Sequence, residues 1–229
     1  MENGRAATPH WLDVAPERIE GWLAEFAERH GVTETALDAR QAIVTVLAAD
    51  GAIAQCHIPF PPLPAGTGGS GADLAAHAAA DRTVGVLLVR LGGYAAGVFN
   101  GAPPRLVASK VGSRLVHGRS AAGGQSQQRF ARRREKQARE ALTAAADCAA
   151  AVFGSVGDGL DAVVLGGDRR AMAALRDDPR LRPYFDLAVD RFLTVPDPRL
   201  AVLQGTPRMF RAIQIRLTGG GGADGSITR

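Results

Sequence analysis

Residues 126–153 run without a glycine or a proline and are dominated by Ala, Arg, Glu and Gln, which lose little conformational freedom on entering a helix. Ser126 supplies an N-cap, so a single long helix is expected. Its two halves differ. Ala138, Ala141, Leu142, Ala145, Cys148, Ala149 and Val152 recur at three- and four-residue spacing, which gathers them on one face and makes the second half a core-packed helix. Arg129, Arg132, Arg133 and Lys136 recur at the same spacing one or two turns earlier, so their charges share a face. Such a helix must pack at one end and present cations at the other.

The segment in front of it, 120–124, is small and ends in two glycines. Gly123 and Gly124 can take backbone angles closed to residues with a Cβ, so a mobile loop is expected with Gln125 at its tip. A basic strand over 105–116 leads into that loop. Beyond the helix, 161–165 has the composition of a buried strand and 169–176 that of a helix. The β-α-β-α succession implies a right-handed crossover, and the expected fold class is α/β, a mixed β-sheet flanked by helices. Strands over 83–90 and 94–99 form a hairpin across Gly92-Gly93, 190–195 is another strand, and 198–208 is helical. The alternation over 212–217 makes a final strand.

The N-terminal part is organised separately. Residues 1–8 are expected to be disordered. Pro16 suits a first helical turn, and Ile19, Trp22, Leu23 and Phe26 stand at i, i+3, i+4 and i+7, an aromatic stripe read as core. That helix ends near His30-Gly31. Runs at 42–48 and 52–58 meet at Asp50-Gly51, a dipeptide suited to a tight hairpin. A proline cluster and then Gly-Thr-Gly-Gly-Ser-Gly fill 59–71; no Lys-Ser or Lys-Thr follows those glycines, so they are a loop and not a phosphate cradle. A short helix over 73–80 comes next. The expected division is 1–60, a helix and hairpin packed on the main domain; 61–81, loop and short helix; 82–218, the main domain; and 219–229, a disordered tail.

Charge is concentrated. The chain carries a net +4, yet between residues 105 and 139 Arg105, Lys110, Arg114, Arg119, Arg129, Arg132, Arg133, Arg134, Lys136 and Arg139 face the single acid Glu135. Guanidinium groups offer planar, paired donors to phosphate, so this stripe suits a nucleic-acid backbone; the plainer reading is a solvated helix face.

Other chemistry finds little support. The histidines His10, His30, His57, His77 and His117 have no metal-ligand spacing, and Cys56 and Cys148 form no C-x-x-C pair, so neither a metal site nor a disulfide framework is expected. No G-x-S-x-G surrounds a serine. Asp158, Asp161 and Asp168 flank a strand, where capping and turn formation explain them. No run approaches the ~18 apolar residues of a membrane span, and no apolar leader opens the chain. A cytoplasmic protein without cofactors is expected.

Gly123-Gly124-Gln125-Ser126, followed by Arg129-Phe130-Ala131-Arg132 and Arg134 and preceded by His117-Gly118-Arg119, closely resembles the peptidyl-tRNA hydrolysis loop in the middle domain of eukaryotic and archaeal class-one release factors. Bacterial stop-codon release factors share only the triplet. The likeness continues through 161–167 and 175–182 and covers roughly 82–195. The chain also resembles actinobacterial release-factor-like peptidyl-tRNA hydrolases, relatives of the eukaryotic hydrolase that frees nascent chains from obstructed large ribosomal subunits.

This resemblance implies a release-factor middle-domain fold of the ribonuclease H-like type, with Gly123, Gly124 and Gln125 catalytic. It implies that Arg114, Arg119, Arg129, Arg132, Arg133 and Lys136 bind RNA, and that the partners are peptidyl-tRNA and the RNA of the large subunit. The protein would be a monomer off the ribosome. No stop-codon-reading domain is recognised, so release independent of stop codons is expected. The alternatives are a non-catalytic ribosome-binding factor using the basic helix, or a general RNA-binding domain; against the latter, only 5% of residues are aromatic, and single-strand binders stack bases on exposed rings.

Overall fold

The computed structural model describes residues 9–90, 93–113 and 126–219, with 126–134 described in backbone only. In chain order the elements are β1 (His10–Val14), a 3-10 turn (Pro16–Arg18), α1 (Ile19–His30), β2 (Val32–Asp38), β3 (Ile43–Ala48), β4 (Ile53–His57) and α2 (Gly71–Ala79). Then come β5 (Val84–Arg90), β6 (Gly93–Asn100), β7 (Arg105–Ser113), α3 (Ser126–Gly154), β8 (Ala162–Gly167) and α4 (Arg169–Leu175). A second 3-10 turn (Pro179–Leu181), α5 (Arg182–Asp186), β9 (Ala188–Leu193), α6 (Leu200–Gln204), α7 (Thr206–Phe210) and β10 (Ile213–Thr218) complete the chain. These elements form two compact units, one ending at Ala80 and resuming at Arg211, the other spanning Asp81–Phe210.

The first unit is an antiparallel sheet ordered β1-β10-β4-β3-β2. Side chains alternate across a strand. Val44, Val46, Ala54, Cys56, Ile213 and Ile215 therefore share a buried face, where they join Ile19, Trp22 and Phe26 of α1 and Leu74 and Ala78 of α2. The expected stripe on α1 is thus core. Pro16 opens its approach, and Gly31, at φ +67°, ends it. The hairpin forms at Asp50-Gly51 as expected. There Asp50 Oδ1 accepts from the Ala52 amide at 3.0 Å, while Oδ2 lies 2.8 Å from His30 Nδ1. The His30 hydrogen bond holds the Asp50 carboxyl below its ordinary range.

The second unit is a mixed sheet ordered β7-β6-β5-β8-β9, with β5–β8 and β8–β9 parallel and the other pairs antiparallel. Central β5 reads VGVLLV and is buried on both sides, the composition a strand covered on both faces requires. One face packs Leu87, Val89, Ala96, Val98, Val163 and Leu165 against Ala145, Ala149, Val152 and Phe153 of α3. Gly85 makes room there: a Cβ at that position would fall 3.0 Å from the Phe153 ring. On the other face Phe99 meets Phe210 edge-on at 5.9 Å. Asp168 caps α4 by accepting from the Arg170 and Ala171 amides, and Asp161 Oδ2 accepts from the Thr83 amide at 2.7 Å. Both acids are structural, as their place around a strand suggests.

Three differences from the sequence reading stand out. Strands β1 and β2 were not expected. The final strand, assigned above to a domain at 82–218, instead pairs between β1 and β4 in the first sheet. The helix over 198–208 is two short helices meeting at Gly205. The disorder expected at 1–8 and along the tail falls on residues outside those described, apart from Gly219.

Candidate functional site

β7 and α3 bracket residues 114–125. β7 is an edge strand, paired only to β6 from Arg105 opposite Asn100 to Ser113 opposite Gly93. Its surface is open: Arg105, Ser109, Lys110 and Ser113 are exposed, and Val107 and Val111 are 58% and 39% exposed. Near its end Gly112 leaves room for Tyr94, whose ring would lie 2.5 Å from a Cβ there. α3 runs alongside, with the Cys148 thiol donating to the Lys110 carbonyl at 3.4 Å. Burial raises the Cys148 thiol pKa, and an Ala96 backbone hydrogen bond and the Lys110 charge oppose that rise. Lys110 is thereby placed on the side of the strand that α3 covers.

Along α3 the first buried residue among those described is Ala141. Ala138 was expected to be core and is exposed. It lies on the same side of the helix as Ala145 and Ala149, so its exposure does not come from the helix having turned. From Ala141 back to Ser126 the helix extends about 22 Å at 1.5 Å per residue. Arg129, Arg132 and Arg133 are placed on these turns by backbone register, on one side with Lys136 and about half a turn round from Ala145 and Val152. The Lys136 side chain is 73% exposed, with Glu140 at 3.8 Å one turn on. The helix is tied at its packed end. Arg180 Nη1 donates to Asp147 at 2.7 Å, and Nε and Nη2 grip Asp178 at 3.0 and 2.7 Å. Those bonds hold the Asp178 carboxyl below its ordinary range.

Several cations elsewhere in this unit are engaged. Arg90 donates to the Val195 carbonyl at 2.8 Å, Arg191 to those of Met209 and Phe210, and Arg169 and Arg176 lie over the rings of Phe192 and Phe185. Arg105, Lys110 and Arg139 have no carboxylate within 4.0 Å among the described residues, as is also true of Arg170, Arg182, Arg199 and Arg208. Gly123, Gly124, Gln125, Arg114 and Arg119, with His117, lie outside the described residues; what is fixed is the strand end at Ser113 and the helix start at Ser126 between which they fall. Arg105 and Lys110 were counted in the basic run but not among the binding residues. The available signal was the acid-free stretch between Asp81 and Glu135. Among the described residues no cluster of His, Cys, Asp or Glu could hold a metal, and no helix is long and apolar enough to cross a membrane.

Residues 82–216 match the family model for the Actinobacteria/chloroflexi VLRF1 release factor, and the chain belongs to that family. The crystal structure of the archaeal translation termination factor aRF1 is similar at 12% identity, with 90% of this chain and 67% of that one covered and a TM-score of 0.42. A second structure, described as an archaeal protein, is similar at 14% identity over 91% of this chain and 68% of its own, with a TM-score of 0.32. No curated protein matches the sequence. Family membership makes the chain a release-factor-like protein of translation, and its α/β sheets with flanking helices are of the class expected.

Proposed function

We propose that this protein is a ribosome-dependent peptidyl-tRNA hydrolase that frees nascent chains from stalled or obstructed large subunits without reading a stop codon. The observation that carries the proposal is the position of Gly123-Gly124-Gln125 in the sequence: inside the release-factor-family region, in the connection between the edge strand of a sheet and a helix whose first turns are rich in arginine.

The reaction is acyl transfer to water. A positioned water attacks the ester carbonyl that joins the peptide to the 3′ end of the tRNA. The tetrahedral intermediate collapses, the bond to the ribose oxygen breaks, and that oxygen takes up a proton as the peptide leaves with a carboxyl group. Holding water and ester together and stabilising the developing oxyanion supply most of the acceleration in such reactions. The Gln125 backbone N–H serves as donor to the departing oxygen, and its side chain shapes access for the water. Gly123 and Gly124 let the backbone approach the tRNA end closely. Arg114, Arg119, Arg129, Arg132, Arg133 and Lys136 hold ribosomal RNA phosphates. RNA supplies the remaining proton route, so no protein base is needed.

The test presents purified protein with peptidyl-tRNA on isolated large subunits, on whole ribosomes and free in solution. Release on large subunits is the expected result. Hydrolysis of the free substrate alone overturns the reading, and tight binding to subunits without release leaves only a non-catalytic ribosome-binding factor.

A further inference from the structure

The first unit, its returning strand β10 apart, lies outside the region matched to the release-factor family, and its sheet has a second face. α1 and α2 pack on the face of Val44, Cys56 and Ile215. The pairing register places Trp11, Arg216 and Gln55 in one row across the opposite face, with Asp13, Gln214 and His57 in the next. Trp11 is 52% exposed, and its ring lies 5.2 Å from that of His57 at 48°. An indole left this open forgoes the burial that large aromatic side chains normally gain. It offers a flat, polarisable surface on a rigid strand.

Arg216 stands beside it, half-buried. Its guanidinium Nη1 donates to Gln55 Oε1 at 3.2 Å and, among the described residues, meets no carboxylate within 4.0 Å. The acid in the adjoining row, Asp13, accepts from Gln214 Nε2 at 3.0 Å. A planar ring next to a cation that meets no carboxylate among the described residues, on the face of an antiparallel sheet opposite its helices, is how single-stranded RNA is commonly received: a base stacks on the ring and the neighbouring phosphate meets the guanidinium. Charge limits the contact. The described part of this unit holds more Asp and Glu than Lys and Arg, which opposes an extended phosphate backbone of any kind, so the contact is a local one to one or two phosphates beside Arg216.

We propose that this face binds an unpaired nucleobase of single-stranded RNA, stacked on Trp11, with Arg216 on the adjoining phosphate. The inference does not rest on peptide release.

Its test uses the full chain carrying Arg129→Gln, Arg132→Gln and Arg133→Gln, so that the basic helix does not mask a second site, and a fluorescein-labelled adenine hexaribonucleotide read by anisotropy. Saturable binding is expected, with quenching of the Trp11 emission; the other tryptophan, Trp22, is only 8% exposed. Trp11→Ala weakens binding about tenfold or more, and Trp11→Phe restores most of it. Arg216→Gln lowers the slope of log affinity against log salt by about 0.7, the share of one phosphate on a single strand. Equal affinity for an RNA duplex, a Trp11→Ala variant that binds as tightly as its parent, or no saturable binding overturns the proposal; the last would leave the face to a protein partner.

Discussion

At Gln125 the proposed reaction divides its demands between two parts of one residue. The backbone N–H stabilises the departing oxygen and the side chain governs which nucleophile enters. Gln125→Ala keeps the donor, so peptide release should continue in part while small nucleophiles other than water gain entry. Gln125→Pro deletes the donor, and the loss of one oxyanion-hole donor costs about 10²- to 10³-fold in enzymes. Proline also restricts the residue before it, so both variants are compared after normal binding to large subunits is established. Equal release rates would remove the backbone donor from the mechanism. Gly123→Ala or Gly124→Ala should abolish release and leave the thermal unfolding midpoint within a few degrees, because a connecting loop contributes little to a core. The thiols make a separate point. Burial pushes Cys56 up to about 12 and raises Cys148 as well, so at pH 8 both thiols stay protonated and unreactive. Iodoacetamide should label neither in the folded protein and both in urea, as mass spectrometry would show.

At the scale of elements, α3 is a lever with one end held. Its packed half is fastened by the sheet and by the Arg180 grip on Asp147 and Asp178, while the backbone register of its first turns carries the cationic positions. Neutralising Arg129, Arg132 and Arg133 together should weaken ribosome binding and flatten its salt dependence, since each lost phosphate contact lowers the log-log slope by about 0.7 to 0.9. An unchanged slope would make the face merely solvated. The helix was legible in the sequence because an uninterrupted run of good helix formers with one apolar stripe has few other uses. Periodicity does not say where the covering sheet stops, which is why Ala138 was misassigned. β1 and β2 escaped for a related reason. Both are edge strands, and VTETALD is exposed at nearly every position, so no alternation marks it; its strand character comes from pairing with β3, a partner local patterns do not encode. The Gly-Gly-Gln triplet was legible as chemistry, but its geometry depends on a connection for which only the two anchoring ends are described.

At the scale of the whole molecule, the chain leaves its first unit at Ala80, builds the second, and returns at Arg211. Alternation over 212–217 marks a strand, found at Ile213–Thr218, but does not identify the sheet it joins. The returning strand is not an ornament on an edge. β10 lies between β1 and β4, so removing it takes Ile213 and Ile215, both fully buried, out of the first core, uncovers the residues they pack against, and separates β1 from the rest of the sheet. A chain ending at Phe210 should therefore lose amide-exchange protection in β1, β3 and β4 while β5, β6 and β8 keep theirs; retained protection in the first unit would show that its helices and remaining strands suffice. The same connectivity sets an order in time. Emerging from the exit tunnel, the chain presents all of Asp81–Phe210 before β10 appears, and units fold as they become complete. Residues 9–80 must wait, their sheet unclosed, while Asp81–Phe210 settles, so the unit that is made earlier is completed later.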